Sequence, residues 1–186
     1  MPRASRQQAA ETERGLRAAA RELFAEHGFS AVSLEQVAVA AQVTRGAVYH
    51  HFANKRGLFE AVLSDAQAMI AEAVAQAAPG EGWQALEEGS VAYLRAAVHP
   101  DVRRIVLVDG PAVVGWDVWR RTDADNSARL LEKVLDTLED LAVDAAAAGA
   151  LLSGAMNEAA LWIAGGGDST LAEAALRRMI SSLRRP

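Results

Sequence analysis

The stretch SLEQVAVAAQVTRGAVYHHF, residues 33–52, decides the fold. Ser33 followed by Gln36 has the form of a capping box. In that motif the serine hydroxyl takes a free N–H of the first helical turn and the glutamine side chain returns to the serine N–H. A helix is therefore expected from Leu34 to about Ala41, with Val37, Ala38 and Ala41 on its apolar face. Gln42-Val43-Thr44 makes a three-residue turn, which Val43 plugs from the core side. Thr44 caps a second short helix, about 45–51, that presents Val48 and Phe52 inward. The positions facing away from that pair include Arg45, Gly46, Tyr49 and His50. Small, polar and basic residues at the exposed N-terminal end of a short helix are what a DNA major groove admits. Gly46 and Ala47 contribute by being small, because backbone can then approach phosphate or base edges. Thr44 and the free N–H groups beside it suit a phosphate.

The flanking sequence extends this unit in both directions. Upstream, Leu16, Ala19, Ala20, Leu23 and Phe24 form one face of a helix expected over 11–27, which Gly28 ends. Downstream, Asn54 caps a helix that starts at Lys55 and runs to about Ala78, where Pro79, Gly80 and Gly82 break the chain. Helices are then expected over 83–98, 101–108, 111–121, 125–141, 144–164 and 171–184. Pro100, Gly110-Pro111 and Gly165-Gly166-Gly167 separate them, and Thr170 with Glu173 forms a second capping box. The expected fold is all-α. An N-terminal three-helix helix-turn-helix DNA-binding domain, residues 1–54, is fused to a helical ligand-binding and dimerisation domain, residues 55–186. A shared helix rather than a tether joins them.

Composition agrees with this division. The chain of 186 residues carries a net charge of −5, which taken whole argues against a polyanionic partner. The charge is unevenly spread: residues 1–60 hold eight Arg or Lys against six Asp or Glu, whereas residues 61–186 hold eleven against eighteen. A mildly basic head on an acidic body assigns nucleic acid to the head alone. The absence of Cys removes disulfides, thiolate metal sites and Cys nucleophiles, and it suits a reducing, cytoplasmic setting. Residues 1–8 lack the apolar segment of a secretory signal. The apolar run 145–164 contains Ser153, Asn157 and Glu158, which fits a buried helix and not a membrane span.

The run Phe24 to Ala38, then Val43 to Phe52, then Asn54 to Phe59, closely resembles the N-terminal domain of TetR-family repressors. The resemblance covers residues 14–63 without a gap and is far more specific than a generic helix-turn-helix. It implies that Ser33, Thr44, Tyr49, His51 and Lys55 bind phosphates, and that Arg45, Gly46, Ala47 and His50 lie at or near base edges. His50 departs from the family pattern, which often has a second aromatic there. His50 and His51 do not suggest a metal, since adjacent helical positions point about 100° apart and no third ligand stands nearby. Two positive charges at a helix start, Lys55 and Arg56, oppose the helix dipole, and phosphate gives them a reason. The implied partner is double-stranded DNA with an inverted-repeat operator, and the implied action is repression.

In the body the resemblance holds only in outline, as a helical regulatory domain ending in two long helices. Those two helices are expected to form the homodimer interface through Leu152, Ala155, Met156, Ala159, Ile163, Met179 and Leu183. Apolar residues surround helix 144–164, and a four-helix bundle made from two copies buries such a helix on every side. A small-molecule effector, largely apolar or aromatic, is expected among Trp83, Tyr93, Trp116, Trp119 and Trp162. His99, Asn157 and Glu158 are the polar groups in that apolar context. No metal and no cofactor are implied. No Gly-rich phosphate loop, nucleophile elbow or metal-spaced His cluster is present, so an enzyme is disfavoured. A helical adaptor without an effector is the other class weighed, and it leaves the DNA-reading head unexplained.

Overall fold

The computed structural model describes the backbone of residues 2–185, with side chains from Gln7 onward. The described chain is helical with no β-strand; one isolated bridge joins Leu141 to Arg184. By contacts it forms two compact units. The first takes in the residues up to Ala66 together with Pro100–Trp116, and the second takes in Gln67–His99 and the residues from Asp117 on.

In the first unit α1 spans Pro2–His27, α2 Leu34–Ala40 and α3 Arg45–His51. The helix α4, Lys55–Ala77, begins here and continues into the second unit. Helix α1 starts well before the expected Glu11, in a run of Arg, Gln and Ala that favours helix. It ends where Gly28 takes φ +81°, a left-handed value that costs a residue with a Cβ free energy. The capping box of α2 is complete, with the Ser33 hydroxyl accepting from Gln36 N and the Gln36 side chain accepting from Ser33 N. Thr44 accepts from Ala47 N to cap α3, and Asn54 accepts from Gly57 N at the start of α4. The core of this unit is Leu16, Ala20 and Phe24 of α1 with Val37, Val48, Leu58, Phe59 and Val62, all fully buried. Phe24, Phe29 and Phe59 meet edge-on or tilted, with ring centroids 5.1–5.9 Å apart.

A division at residue 54 therefore differs from the contacts. Leu58, Phe59, Val62, Leu63 and Ala66 belong to the head's core. Pro100–Trp116 also packs with the head: Phe29 N donates to Asp109 Oδ2 at 2.8 Å, and Arg56 donates to the Val114 carbonyl at 3.1 Å. Within that segment the expected helix 101–108 is a π-helical turn, Arg104–Asp109, which runs directly into α6, Gly110–Val114. Gly110-Pro111 does not separate them, because Pro111 sits in the first turn of α6, where its missing N–H is harmless. The break comes instead at Gly115, at φ +85°.

The second unit contains α5 (Gly82–Ala97), α7 (Trp116–Ala124), α8 (Ser127–Leu135), α9 (Ala145–Ala164) and α10 (Ser169–Ser181), with the C-terminal part of α4. The expected helix 125–141 stops at Leu135. The Thr137 hydroxyl donates to the Val134 carbonyl at 2.7 Å, and Leu141 then turns into the bridge with Arg184. Helix α10 is capped by Asp168, whose carboxylate accepts from Thr170 N and Leu171 N. The expected Thr170 box is displaced because Glu173 is bound elsewhere, in a two-pronged ion pair with Arg95 at 2.7 and 2.8 Å.

Candidate functional site

The exposed surface of α3 is made by Thr44, Arg45, Gly46, Tyr49 and His50, while Val48 and Phe52 are buried. Ala47 is half-buried. Helical spacing places these side chains, since Val48 and Phe52 lie four residues apart and fix the inner face. Thr44 and Ser33 cap their helices as acceptors, which leaves each hydroxyl hydrogen free to donate outward. A surface cleft lined by Ser30 to Glu35, Tyr49, Asn54 and Lys55 brings together Ser33, Tyr49 and Lys55, which the sequence holds far apart. Lys55 is not a free cation. Its ammonium donates to the carbonyls of Val32 at 2.7 Å and Ser30 at 3.4 Å and lies over the Phe29 ring, so it fixes the loop ahead of α2 with one donor remaining.

Two departures from expectation concern charge. His51 does not face outward with its neighbours. Its side chain is 12% exposed, and Nδ1 lies 3.9 Å from Glu13 of α1. One helical step separates it from His50, so the two rings cannot share the exposed face; they meet edge-on at 5.3 Å. Arg45 is the other case. Its Nε lies 3.1 Å from the Glu35 carboxylate, and its guanidinium donates to the Tyr49 hydroxyl at 3.4 Å. The Tyr49 contact and then the Glu35 charge raise its pKa. Glu35 is a member of this surface that sequence reasoning passed over; its place two residues after the N-cap Ser33 offered no signal beyond exposure on α2.

In the second unit a cavity of about 310 Å³ opens between the end of α4, α5 and α8. Val74, Leu86, Leu130, Leu131, Val134 and Met156 supply its apolar wall, and Ser90, Tyr93, Ser127 and Thr137 its polar atoms. Of the expected effector residues only Tyr93 lines it. Burial raises the Tyr93 pKa, and its hydroxyl donates to Asn157 Oδ1 at 2.5 Å, so Asn157 supports the wall from behind. Asp123, buried close by, also has a raised pKa through desolvation, opposed by Arg120.

The remaining expected pocket residues are corrected by placement. The Trp83 indole donates to Asp140 Oδ1 at 2.6 Å and lies under Arg184, which makes it a clamp for the C-terminal segment. Trp119 is buried and does not line the cavity. His99, Glu158 and Trp162 are exposed. Trp116 is 60% exposed and falls in the first unit. Aromatic residues draw attention in a sequence, yet short aliphatic residues and Gly89 leave the space here.

The expected dimer residues also divide. Leu152 and Met156 are buried within their own subunit and cannot meet a partner without unpacking it. Ala155, Ala159, Ile163 and Leu183 are half-buried, and Met179 is exposed. Large apolar residues left in solvent are instead Leu151, Leu161 and Trp162 on α9 and Leu171 and Met179 on α10, with Leu151 at 76% exposure. Because α9 is apolar nearly all round, periodicity alone could not tell its inner face from its outer one.

These features define a helix-turn-helix regulator: a compact helical head exposing a short recognition-type helix, followed by a helical body that holds a cavity. Residues 16–62 match the family model "Bacterial regulatory proteins, tetR family", and residues 83–185 match "Tetracyclin repressor-like, C-terminal domain". The chain belongs to the tetR family of bacterial regulatory proteins. It is similar to the Transposon Tn10 TetC protein of Escherichia coli, with 35% identity over 99 residues, 53% of this chain and 50% of that one. It is similar to the HTH-type transcriptional regulator AcrR of Shigella flexneri, with 36% identity over 110 residues, 58% of this chain and 51% of that one. The matches thus span about half the length of these relatives. A crystal structure of a TetR-family transcriptional regulator from Pectobacterium atrosepticum superposes with a TM-score of 0.75 at 31% identity, over 97% of this chain and 98% of that one. No helix among the described residues is long and apolar enough to cross a membrane, and no group of three or more His, Cys, Asp or Glu is placed to hold a metal.

Proposed function

We propose that this protein is a ligand-responsive transcriptional repressor, not an enzyme, that acts in the cytoplasm as a homodimer on an inverted-repeat operator. In this reading residues 1–54 form the DNA-binding domain, with Lys55 at the start of α4 completing its surface, and residues 55–186 carry effector binding and dimerisation. The observation that carries the proposal is the exposed face of α3 beside the cleft that gathers Ser33, Tyr49 and Lys55. Thr44, Ser33, Tyr49 and the remaining Lys55 donor serve phosphates, and Arg45, Gly46, Ala47 and His50 meet base edges. His51 acts by holding α3 against α1. Exposed Leu151, Leu161, Leu171 and Met179 supply the dimer contact.

Regulation follows from connectivity. The helix α4 carries Lys55 at its start and the cavity residues Val74 and Ala75 near its end. The chain crosses between the units again on both sides of Pro100–Trp116. A ligand in the cavity that favours one setting of α4 changes the separation of the two heads in the dimer, and paired half-sites require a fixed separation. Coupling of about 1–3 kcal/mol loosens DNA markedly, and operator DNA weakens ligand binding by the same factor.

The test is selection of bound duplexes from a random pool, followed by titration across salt. A palindrome should be recovered, and its affinity should fall steeply with salt. Lys55→Ala should weaken binding to all sequences and flatten the salt slope by about one unit. Recovery of no preferred sequence, or an unchanged slope in the variant, sinks the assignment of this surface.

A further inference from the structure

We propose that the cavity of the second unit takes a neutral, mainly apolar small molecule bearing one hydrogen-bonding group, and that the Ser90 hydroxyl selects it. The inference rests on the cavity being the effector site and adds the chemistry of its occupant. Ser90 stands in the cavity wall on α5 and is 4% exposed. Its Oγ is closed off from solvent and has no hydrogen-bond partner. A serine inside a helix commonly turns its hydroxyl back to the carbonyl one turn earlier, and this one does not. A buried hydroxyl without a partner carries a desolvation penalty, which a ligand carbonyl, hydroxyl or amide removes.

The rest of the lining sets the ligand's charge and size. Among the described residues the charged ones on it are Glu81 and Lys133, both exposed and opposite in sign. Tyr93 is committed to Asn157, and burial holds its phenol in the neutral form. A carboxylate or phosphate seated among Leu86, Leu131, Val134 and Met156 would meet no buried cation on the lining, since Arg120, whose charge reaches Tyr93, stands outside it and acts on Asp123; isolated charges are excluded from such surroundings. Gln67, seven residues before Val74 and so on the same face of α4, is also fully buried, with neither amide atom partnered. The orphaned polar groups of this unit are therefore neutral ones. The volume, about 310 Å³, lies at the small end of the ~300–1,000 Å³ range of ligand pockets, which points to a molecule of one or two rings.

Calorimetric titration of the full chain with three probes of one shape tests this: naphthalene, 2-naphthol and 2-naphthoate. The expected order places 2-naphthol about tenfold tighter than naphthalene, from the single hydrogen bond, with 2-naphthoate weakest. Ser90→Ala should bring the 2-naphthol to naphthalene affinity ratio close to one, and Ser90→Thr should keep it. Tightest binding by 2-naphthoate, or a 2-naphthol preference that survives Ser90→Ala, overturns the ligand chemistry and leaves the cavity assignment standing. Leu130→Trp, which fills the cavity, examines that assignment: unchanged affinities for all three probes place their binding elsewhere and overturn it. Failure of every probe to bind overturns both.

Discussion

Arg45 shows how one residue can be placed by sequence and conditioned by structure. Its position at the start of α3 follows from Thr44 before it and Val48 after it. Its engagement with Glu35 and Tyr49 brings an acidic residue of α2 to the surface assigned to DNA. Both side chains are largely exposed, so the pair is weak in water, but it must open before the guanidinium can fork onto a base. Arg45→Ala is expected to weaken a selected palindrome roughly ten- to hundredfold and to blur preference at one position. Glu35→Gln is expected to act the other way, tightening binding several-fold at low salt, because it frees Arg45 and removes a charge that phosphates repel. Fluorescence anisotropy on the palindrome and on a scrambled duplex measures both. Loss of affinity in Glu35→Gln would instead give Glu35 a positive role in reading.

At the scale of elements, end signals and face signals behaved differently. Ser33, Thr44, Asn54 and Gly28 each acted where sequence placed them, because a cap is a local bond between a side chain and the nearest free backbone groups. The last helix shows the limit. Asp168 and Thr170 both lie within reach of its first turn, and Asp168 wins because the Glu173 that would complete a box with Thr170 is drawn to Arg95 on α5. Asp168→Ala should therefore lower stability by about 1 kcal/mol, as loss of a cap does, while Thr170→Ala changes it by a few tenths. Urea denaturation of the two variants separates them, and equal losses would reassign the cap. Close packing decides the chain just before it: Gly167 lies against the face of the Trp162 ring, where a Cβ would clash, so Gly167→Ala must displace that ring.

For the whole molecule, the exposed apolar residues of α9 and α10 matter most. Leu151, Leu161, Leu171 and Met179 leave much of their side chains in solvent, and Trp162 exposes half of its own although Gly167 lies against its ring. Surfaces of that kind are interaction sites, and the proposed occupant is a second copy. Leu151→Asp with Leu161→Asp should leave the subunit folded, since neither is buried, yet shift size-exclusion and light-scattering mass from dimer to monomer. Palindrome affinity should fall with it, because one head then meets one half-site. A dimer that persists in the double variant places the interface elsewhere. Leu152→Asp serves as the contrast: it should unfold the subunit, being buried inside it.

Residue identity and spacing determined what depends on neighbours along the chain: the helical class, the tight helix-turn-helix, the caps, and the exposed face of α3 from Arg45 to His50. Each is set within two turns by propensity, capping and the 3.6-residue period. Tertiary structure decided what depends on distant residues. It turned His51 inward to Glu13, tied Arg45 to Glu35, and gathered Ser33, Tyr49 and Lys55 into one cleft. It joined Pro100–Trp116 to the head through Asp109 and Phe29. It also put Leu152 and Met156 inside and Leu151 and Leu161 outside on a helix apolar nearly all round. A cavity is the space several elements fail to fill together, so no single stretch of sequence encodes it; here small and aliphatic residues on α4, α5 and α8 leave it, while the tryptophans pack or lie exposed around other surfaces.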